Sequence, residues 1–347
     1  MNIKSIKLNS FNNFKNTKIN NYSNNAILNN RISFGNSTKT QQDIFIPSNQ
    51  ELIETSEIYK KEIGAQALQK EDILTKAHKT LSYADEILKN SKLVHQQALS
   101  MLSSAQEAIN ECSKFQNVLQ YLDNDITLEL DEEKISLSQY RPIDDSYNVF
   151  EFNRQTMSPK SVLIGYRRNN FSETAKMKYD FDNGDLTSYC SDYWRKEDDI
   201  RANERAEFKK GKLDNFSKNY SLICGVALAG TYFEFKNRHL NKYQTGRNAN
   251  NDIINAAIEY VFQGSKELKN LSQDVLYRDG KRIYSYRSAD FQFGKIKKIT
   301  IGENNRAGKN TALKIMIFSP YSQKLKQYYS YATIENDKIQ AAYSKSL

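Results

Sequence analysis

Residues 232–243, "YFEFKNRHLNKY", hold the densest group of side chains able to do chemistry: Arg238, His239 and Lys242 among aromatics, after a strand-like run. An imidazole beside two cations suits acid–base work or the holding of an anion. A solvated strand end is the competing reading of the same residues. The chain has three histidines, His78, His95 and His239, and three cysteines, Cys112, Cys190 and Cys224. His78 and His95 fall in a helical stretch, so a nucleophilic dyad would have to pair His239 with Cys190 or Cys224. The cysteines form no CxxC and have no histidine at ligand spacing, which argues against a zinc site and a disulfide framework. They are expected to be buried small side chains in a reducing compartment. No GxGxxG, Walker loop, HExxH, GxSxG or EF-hand loop occurs, and no cofactor is expected. "GENNRAGKN", 302–310, ends in GKN at a spacing one residue too long for a phosphate loop, and reads as a polar hairpin loop.

Composition narrows the classes further. The 347 residues are 39% hydrophobic with a mean hydropathy of −0.73, too polar for one dense core throughout. No run approaches the ~18 consecutive apolar residues of a membrane span, and the N-terminus has no apolar signal core. The net charge of +9 is concentrated at the start. Residues 1–42 carry six basic residues (Lys4, Lys7, Lys15, Lys18, Arg31, Lys39), no acid and twelve Asn, which leaves +3 for the rest. A polyanion-binding face is therefore not expected, and no specific nucleic acid partner. Residues 1–47 read as a disordered Asn/Ser/Lys-rich tail, either a targeting or leaderless-secretion address or the drift of a biased composition.

Residues 48–123 read as a helical, coiled-coil-like segment, one long helix or a helix pair. No Gly or Pro interrupts 65–141, and small residues recur every seventh position at Ala77, Ala84, Ser91, Ala98, Ala105 and Cys112. Leu74, Leu81, Leu88, His95, Leu102 and Ile109 precede them by three. Apolar spacing alternating three and four is the seam of a helix packed on another helix. The phase holds through "KNSK" at 89–92, so one continuous helix over 73–119 is expected. Its stripe needs a partner: the upstream helix around 50–70, another copy of the chain, or a different protein.

Residues 124–347 read as an antiparallel β-hairpin meander, an α+β fold overall. Short runs rich in β-branched and aromatic residues alternate apolar with polar. Three share one word: "FDNGDLTSY" at 181–189, "FKKGKLDNF" at 208–216 and "FQFGKIKKI" at 291–299. The aromatic ends one strand, Gly184, Gly211 or Gly294 turns the chain, and Leu or Ile begins the next. "LDEEKI" at 130–135 and "IENDKI" at 334–339 share the spacing without Gly, and the gaps between words look irregular. The word resembles the MORN-type repeat family, whose hairpins carry an aromatic, Gly and Lys around a turn; that family's further glycines and fixed period are not matched. One helix is expected inside the meander at about 251–271, from Ile253, Ile254, Ala257, Ile258, Val261 and Phe262 behind an Asn251 or Asp252 cap. Trp194 is expected in a short helix or polar loop over 192–210.

These readings lead to an interaction or structural protein, a helical stalk presenting a Tyr-rich sheet, with a protein partner or self-association through the 73–119 helix. The reading from another class is a leaderless secreted effector or enzyme with a site near Arg238 and His239. Cytoplasmic or leaderless-secreted placement follows from the absence of a signal core.

Overall fold

Ser48 opens the first helix with a reciprocal cap. Its hydroxyl accepts from the Glu51 N–H (3.2 Å), and the Glu51 carboxylate accepts from the Ser48 N–H (2.7 Å). In the computed structural model helix α1 runs Asn49–Ala67, α2 Lys70–Ser104 and α3 Gln106–Cys112, bending at Leu68 and Gln69 and again at Ala105. The structure describes residues 47–347 apart from 124, 144, 169–172, 196–198, 223, 226, 248–252, 265, 278–283, 305–309 and 335–337. The reading of residues 1–46 therefore lies outside the described residues.

Strands follow without further helices among the described residues. They are β1 (Val118–Asp123), β2 (Ile126–Leu130), β3 (Lys134–Arg141), β4 (Ser146–Asn153), β5 (Pro159–Arg168) and β6 (Glu173–Asp182). Next come β7 (Asp185–Arg195), β8 (Ile200–Lys209), β9 (Lys212–Leu222), β10 (Ala227–Lys236), β11 (His239–Arg247) and β12 (Ile253–Gln263). The last are β13 (Glu267–Tyr277), β14 (Tyr284–Gln292), β15 (Lys295–Asn304), β16 (Asn310–Phe318), β17 (Leu325–Ile334) and β18 (Lys338–Ser346). Each strand pairs antiparallel with the next, forming one meander. Helices and sheet fall in one compact unit, Ile46–Leu347.

The long helix is expected from the sequence; its continuity to 119 and its packing partner are not what was expected. It ends at Cys112, and residues 118–123 are strand β1. Arg154 fastens this crossover by donating to the carbonyls of Ser113 (3.1 Å), Phe115 (2.9 Å) and Gln116 (3.2 Å). The seam faces the sheet. Ala77, Ala84, Ala98, Ala105 and Ile109 are buried, as are Leu74, Leu81 and Leu102, with Leu88 half-buried. Ile73, Ile87, Val94 and Met101 complete the stripe. A stripe of small residues lets any bulky surface approach closely, and here that surface is a row of aromatic rings on strands.

Those rings carry a period that the Gly-based word hides. Phe152, Phe181, Phe208, Phe235, Phe262, Phe291 and Phe318 recur at intervals of 29, 27, 27, 27, 29 and 27 residues. A register shift falls immediately before every one of them. After the turn, Leu186 and Tyr189 both point to the helix side although three residues separate them. An extra residue in the second strand accounts for that spacing, which strict alternation forbids. The irregular spacing expected between hairpins is thus corrected. Words without Gly, such as the one around Asn237 and Arg238, belong to the same series.

The helix expected at 251–271 is also corrected. Those positions hold β12 and β13, with Tyr260 and Phe262 buried on the helix side. The i, i+4 recurrence of Ile254, Ile258 and Phe262 fits a helix as well as every second alternation of a strand, and β-branched residues favour the strand. Trp194 likewise lies in β7, and the run after it forms β8.

Gly184, Gly211 and Gly294 each occupy the second position of a two-residue turn, at φ 85°, 68° and 71°. Asn183, Lys210 and Phe293 precede them at φ 51°, 51° and 53°. Two successive positive φ values define the turn whose twist matches paired strands. Phe181 pairs with Leu186, Phe208 with Leu213 and Phe291 with Ile296 across these turns. Gly184→Val is expected to cost about 1–3 kcal/mol in urea unfolding, because a β-branched residue is strained at that φ. An unchanged midpoint would show the turn tolerates it.

Candidate functional site

The helix is tied to the sheet by polar contacts as well as by its stripe. Lys60 lies over the Phe318 ring (5.4 Å) and donates to the Gln323 carbonyl (2.9 Å). Glu62 pairs with Arg287 (2.8 Å), and the Tyr260 hydroxyl donates to the Gln66 carbonyl (3.3 Å). Further along, Asp85 accepts both arms of Arg238 (2.8 and 2.7 Å), and the His95 ring meets Phe181 at 5.2 Å.

Arg238 is therefore an anchor. It takes the turn position that Gly holds in other hairpins, at φ 66°, and spends its guanidinium on the helix. The Asp85 carboxyl is held below its ordinary range by the Arg238 hydrogen bonds, against a smaller effect of burial. Lys242 pairs with Glu259 (2.7 Å), and His239 stands exposed at the start of β11. The dyads considered from sequence are not brought together. Cys224 and His239 flank opposite ends of β10, roughly 30 Å apart, and Cys190 lies four strands from β11, roughly 19 Å away. All three cysteines are free; Cys112 is buried as expected, whereas Cys190 is partly exposed and Cys224 exposed. Among the described residues no cluster of His, Cys, Asp or Glu could hold a metal ion.

A charged cluster the sequence did not reveal lies between α2 and the sheet. Glu204 on β8 is buried and pairs with Lys218 on β9 (2.8 Å). It also accepts from the Tyr83 hydroxyl (2.9 Å) and from Ser191 (3.4 Å). Burial foremost, then the neighbouring Tyr189 and Glu204, pushes the Tyr83 phenol far above its ordinary range; burial pushes Tyr189 up to about 12. Burial opposes the charge on Lys218, but the Glu204 carboxylate outweighs it and raises the ammonium's pKa. The cluster is a polar lock between helix and sheet, with Glu204 buried and Tyr83 and Lys218 half-buried.

The opposite face of the sheet is turned away from the helix. One register row there holds Ser217, Tyr232, Gln244, Ser272, Ser288 and Tyr329. The next holds Tyr147 against Gly165 and Tyr286 against Gly302, where a Cβ on either glycine would run into the tyrosine ring. A third row alternates acid with hydroxyl or amide from β2 to β10: Glu129, Ser136, Glu151, Ser161, Asp180, Ser188, Glu207, Asn215, Glu234. Hydrogen bonds join Ser161 to Glu151 (2.7 Å) and Asn215 to Glu207 (2.7 Å). The available signal was the acid immediately before most of the recurring phenylalanines.

No protein-family profile matches the sequence, and no curated protein is similar to it. One solved structure, from work on two prolyl endopeptidases and the role of inter-domain dynamics in their catalysis and specificity, is similar over 67% of this chain and 40% of its own, at 7% identity and a TM-score of 0.20. A likeness at that level carries no argument. No described helix is long and apolar enough to cross a membrane.

Removing Glu204 leaves Lys218 partly buried beside Tyr220. Glu204→Ala is expected to lower unfolding stability by about 2–4 kcal/mol, with Glu204→Ala/Lys218→Met losing less than Glu204→Ala alone. A double-variant loss equal to the sum of the Glu204→Ala and Lys218→Met losses would mean that the pair is not coupled.

Proposed function

We propose that this chain is a non-enzymatic interaction protein in which the helix braces the meander and the outward, Tyr-rich sheet face makes protein contacts. The observation that carries this reading is the division of labour between the faces. The helix spends its apolar stripe on the sheet within the same chain, so the stripe is not left for another partner. The outward face combines Tyr, Ser, Asn, Gln and Gly in regular rows with charged residues, among them Glu129, Glu151, Asp180, Glu207 and Glu234. Tyrosine supplies broad contact area at small entropic cost, and short polar residues supply adaptable hydrogen bonds, the composition of protein recognition surfaces.

Photo-crosslinking in the native cells tests the reading. A benzophenone residue at Tyr329, which is 38% exposed, is expected to give discrete adducts with another protein, and one at exposed Lys79 on α2 none. Adducts only from the helix would overturn it. The competing reading, an enzyme or secreted effector acting near Arg238 and His239, requires instead that His239→Ala abolish activity while the Tyr329 adducts are absent.

A further inference from the structure

The hairpin turns that follow the recurring phenylalanines all lie at the same end of the strands. From the turn after β8 to the turn after β16, residues 209–212, 236–239, 263–269, 292–297 and 318–326 hold ten lysines and Arg238 against one acid, Glu267. Every one of those lysines is exposed. Lys209 is paired with Asp214 and Arg238 with Asp85. The turn before them is acidic, with Asp182 and Asp185, so the basic row has a definite end. The net charge of +3 over residues 43–347 concealed this row, because acids on the helix and in the outward row from Glu129 to Glu234 offset it.

Two aromatic rings stand among these lysines. Phe293 is 72% exposed and Tyr321 81% exposed, on the tips of neighbouring hairpins. Lys295 on the first tip donates to the Tyr321 carbonyl on the second (3.3 Å). Phe293 holds φ 53° in the turn position where other hairpins place Asn183, Lys210 and Asn237. Asparagine tolerates that region, whereas a bulky side chain there is an outlier held under strain. An exposed ring recovers none of that strain through packing, so the fold itself has no use for phenylalanine at this turn.

We infer that this row of turn tips binds single-stranded nucleic acid without sequence preference, its lysines following the phosphates while Phe293 and Tyr321 each stack a base. A cationic track with aromatic rings is how single strands are held, and stacking accepts any base. The five tips are separated by four steps of about 9.6 Å, roughly 38 Å in all, a length that suits a linear polyanion. Strands also twist against their neighbours by roughly 20–25°, so the tips follow a turning line. A flexible strand can track that line, whereas a flat anionic bilayer would meet only a few tips at once. The inference goes beyond the outward-face reading and does not rest on it, since the tips lie at the strand ends.

Fluorescence anisotropy of a labelled oligo(dT) with the full chain, over a series of salt concentrations, tests this. The wild type is expected to bind, and to bind more weakly as salt rises. Phe293→Asn with Tyr321→Ser is expected to weaken binding about tenfold. Lys297→Ser with Lys326→Ser is expected to flatten the slope of log affinity against log salt by about 0.7 for each lysine that meets a phosphate. Lys79→Ser, on the helix, is expected to leave the affinity unchanged. All five positions are exposed and asparagine suits the φ of Phe293, so urea unfolding is expected to show no loss of stability in the aromatic variant. A wild type that does not bind, or tip variants that bind like the wild type, overturns the inference. So does binding to phosphatidylserine–phosphatidylcholine vesicles in place of oligo(dT), which would make the row a bilayer contact. Adducts from Tyr329 are read separately, so either reading can fail while the other stands.

Discussion

Seven residues of α-helix advance about 10.5 Å, and two strands of a sheet span roughly 9.6 Å. That near match is the constraint on which this fold depends. Lys60 lies on Phe318 and His95 on Phe181, 35 residues and five hairpins apart, so one heptad is spent on each hairpin. A helix laid across the strands can then present the same side chain to every hairpin. Alanine and serine suit that position, since each hairpin already brings a phenylalanine to the contact. The break between α1 and α2 at Leu68 and Gln69 lies between these two anchors.

This explains why half of the architecture was legible in the sequence and half was not. The heptad of Ala77, Ala84, Ala98 and Ala105 was plain, but periodicity reports spacing and says nothing of what fills the facing holes. A second helix and a row of phenylalanines ask for the same small residues. The turns at Gly184, Gly211 and Gly294 were plain because positive φ leaves a glycine mark. The hairpin at Asn237 and Arg238 was not, because Arg238 tolerates its φ in the company of Asp85, 153 residues away in sequence. Reading by Phe instead of Gly would have uncovered the period. At 253–262 the run of isoleucines obeyed a helical spacing by coincidence, and pairing with neighbours decided for the strand.

The candidate surfaces were less legible still. Glu204 looks like any outward acid in an alternating strand, yet Tyr83 and Lys218 converge on it only once the helix lies across β8 and β9. Arg238 was singled out for its chemistry and proves to be a tether. Both cases follow from the same arrangement: polar groups on the helix side are consumed in holding the helix. The outward rows remain, kept level by Tyr147 and Tyr286 lying across glycines.

Paired deletions test whether heptad and hairpin are matched units. Deleting Leu88–Val94 removes one heptad of α2; deleting Thr187–Leu213 removes one hairpin and rejoins equivalent positions of the repeat. Urea unfolding of the two single deletions and of the combination gives the coupling between them. If the units are matched, each deletion alone lowers stability sharply and the combination recovers much of the loss. If the combination is as unstable as the two losses added together, the helix does not keep step with the sheet and the two units are not matched.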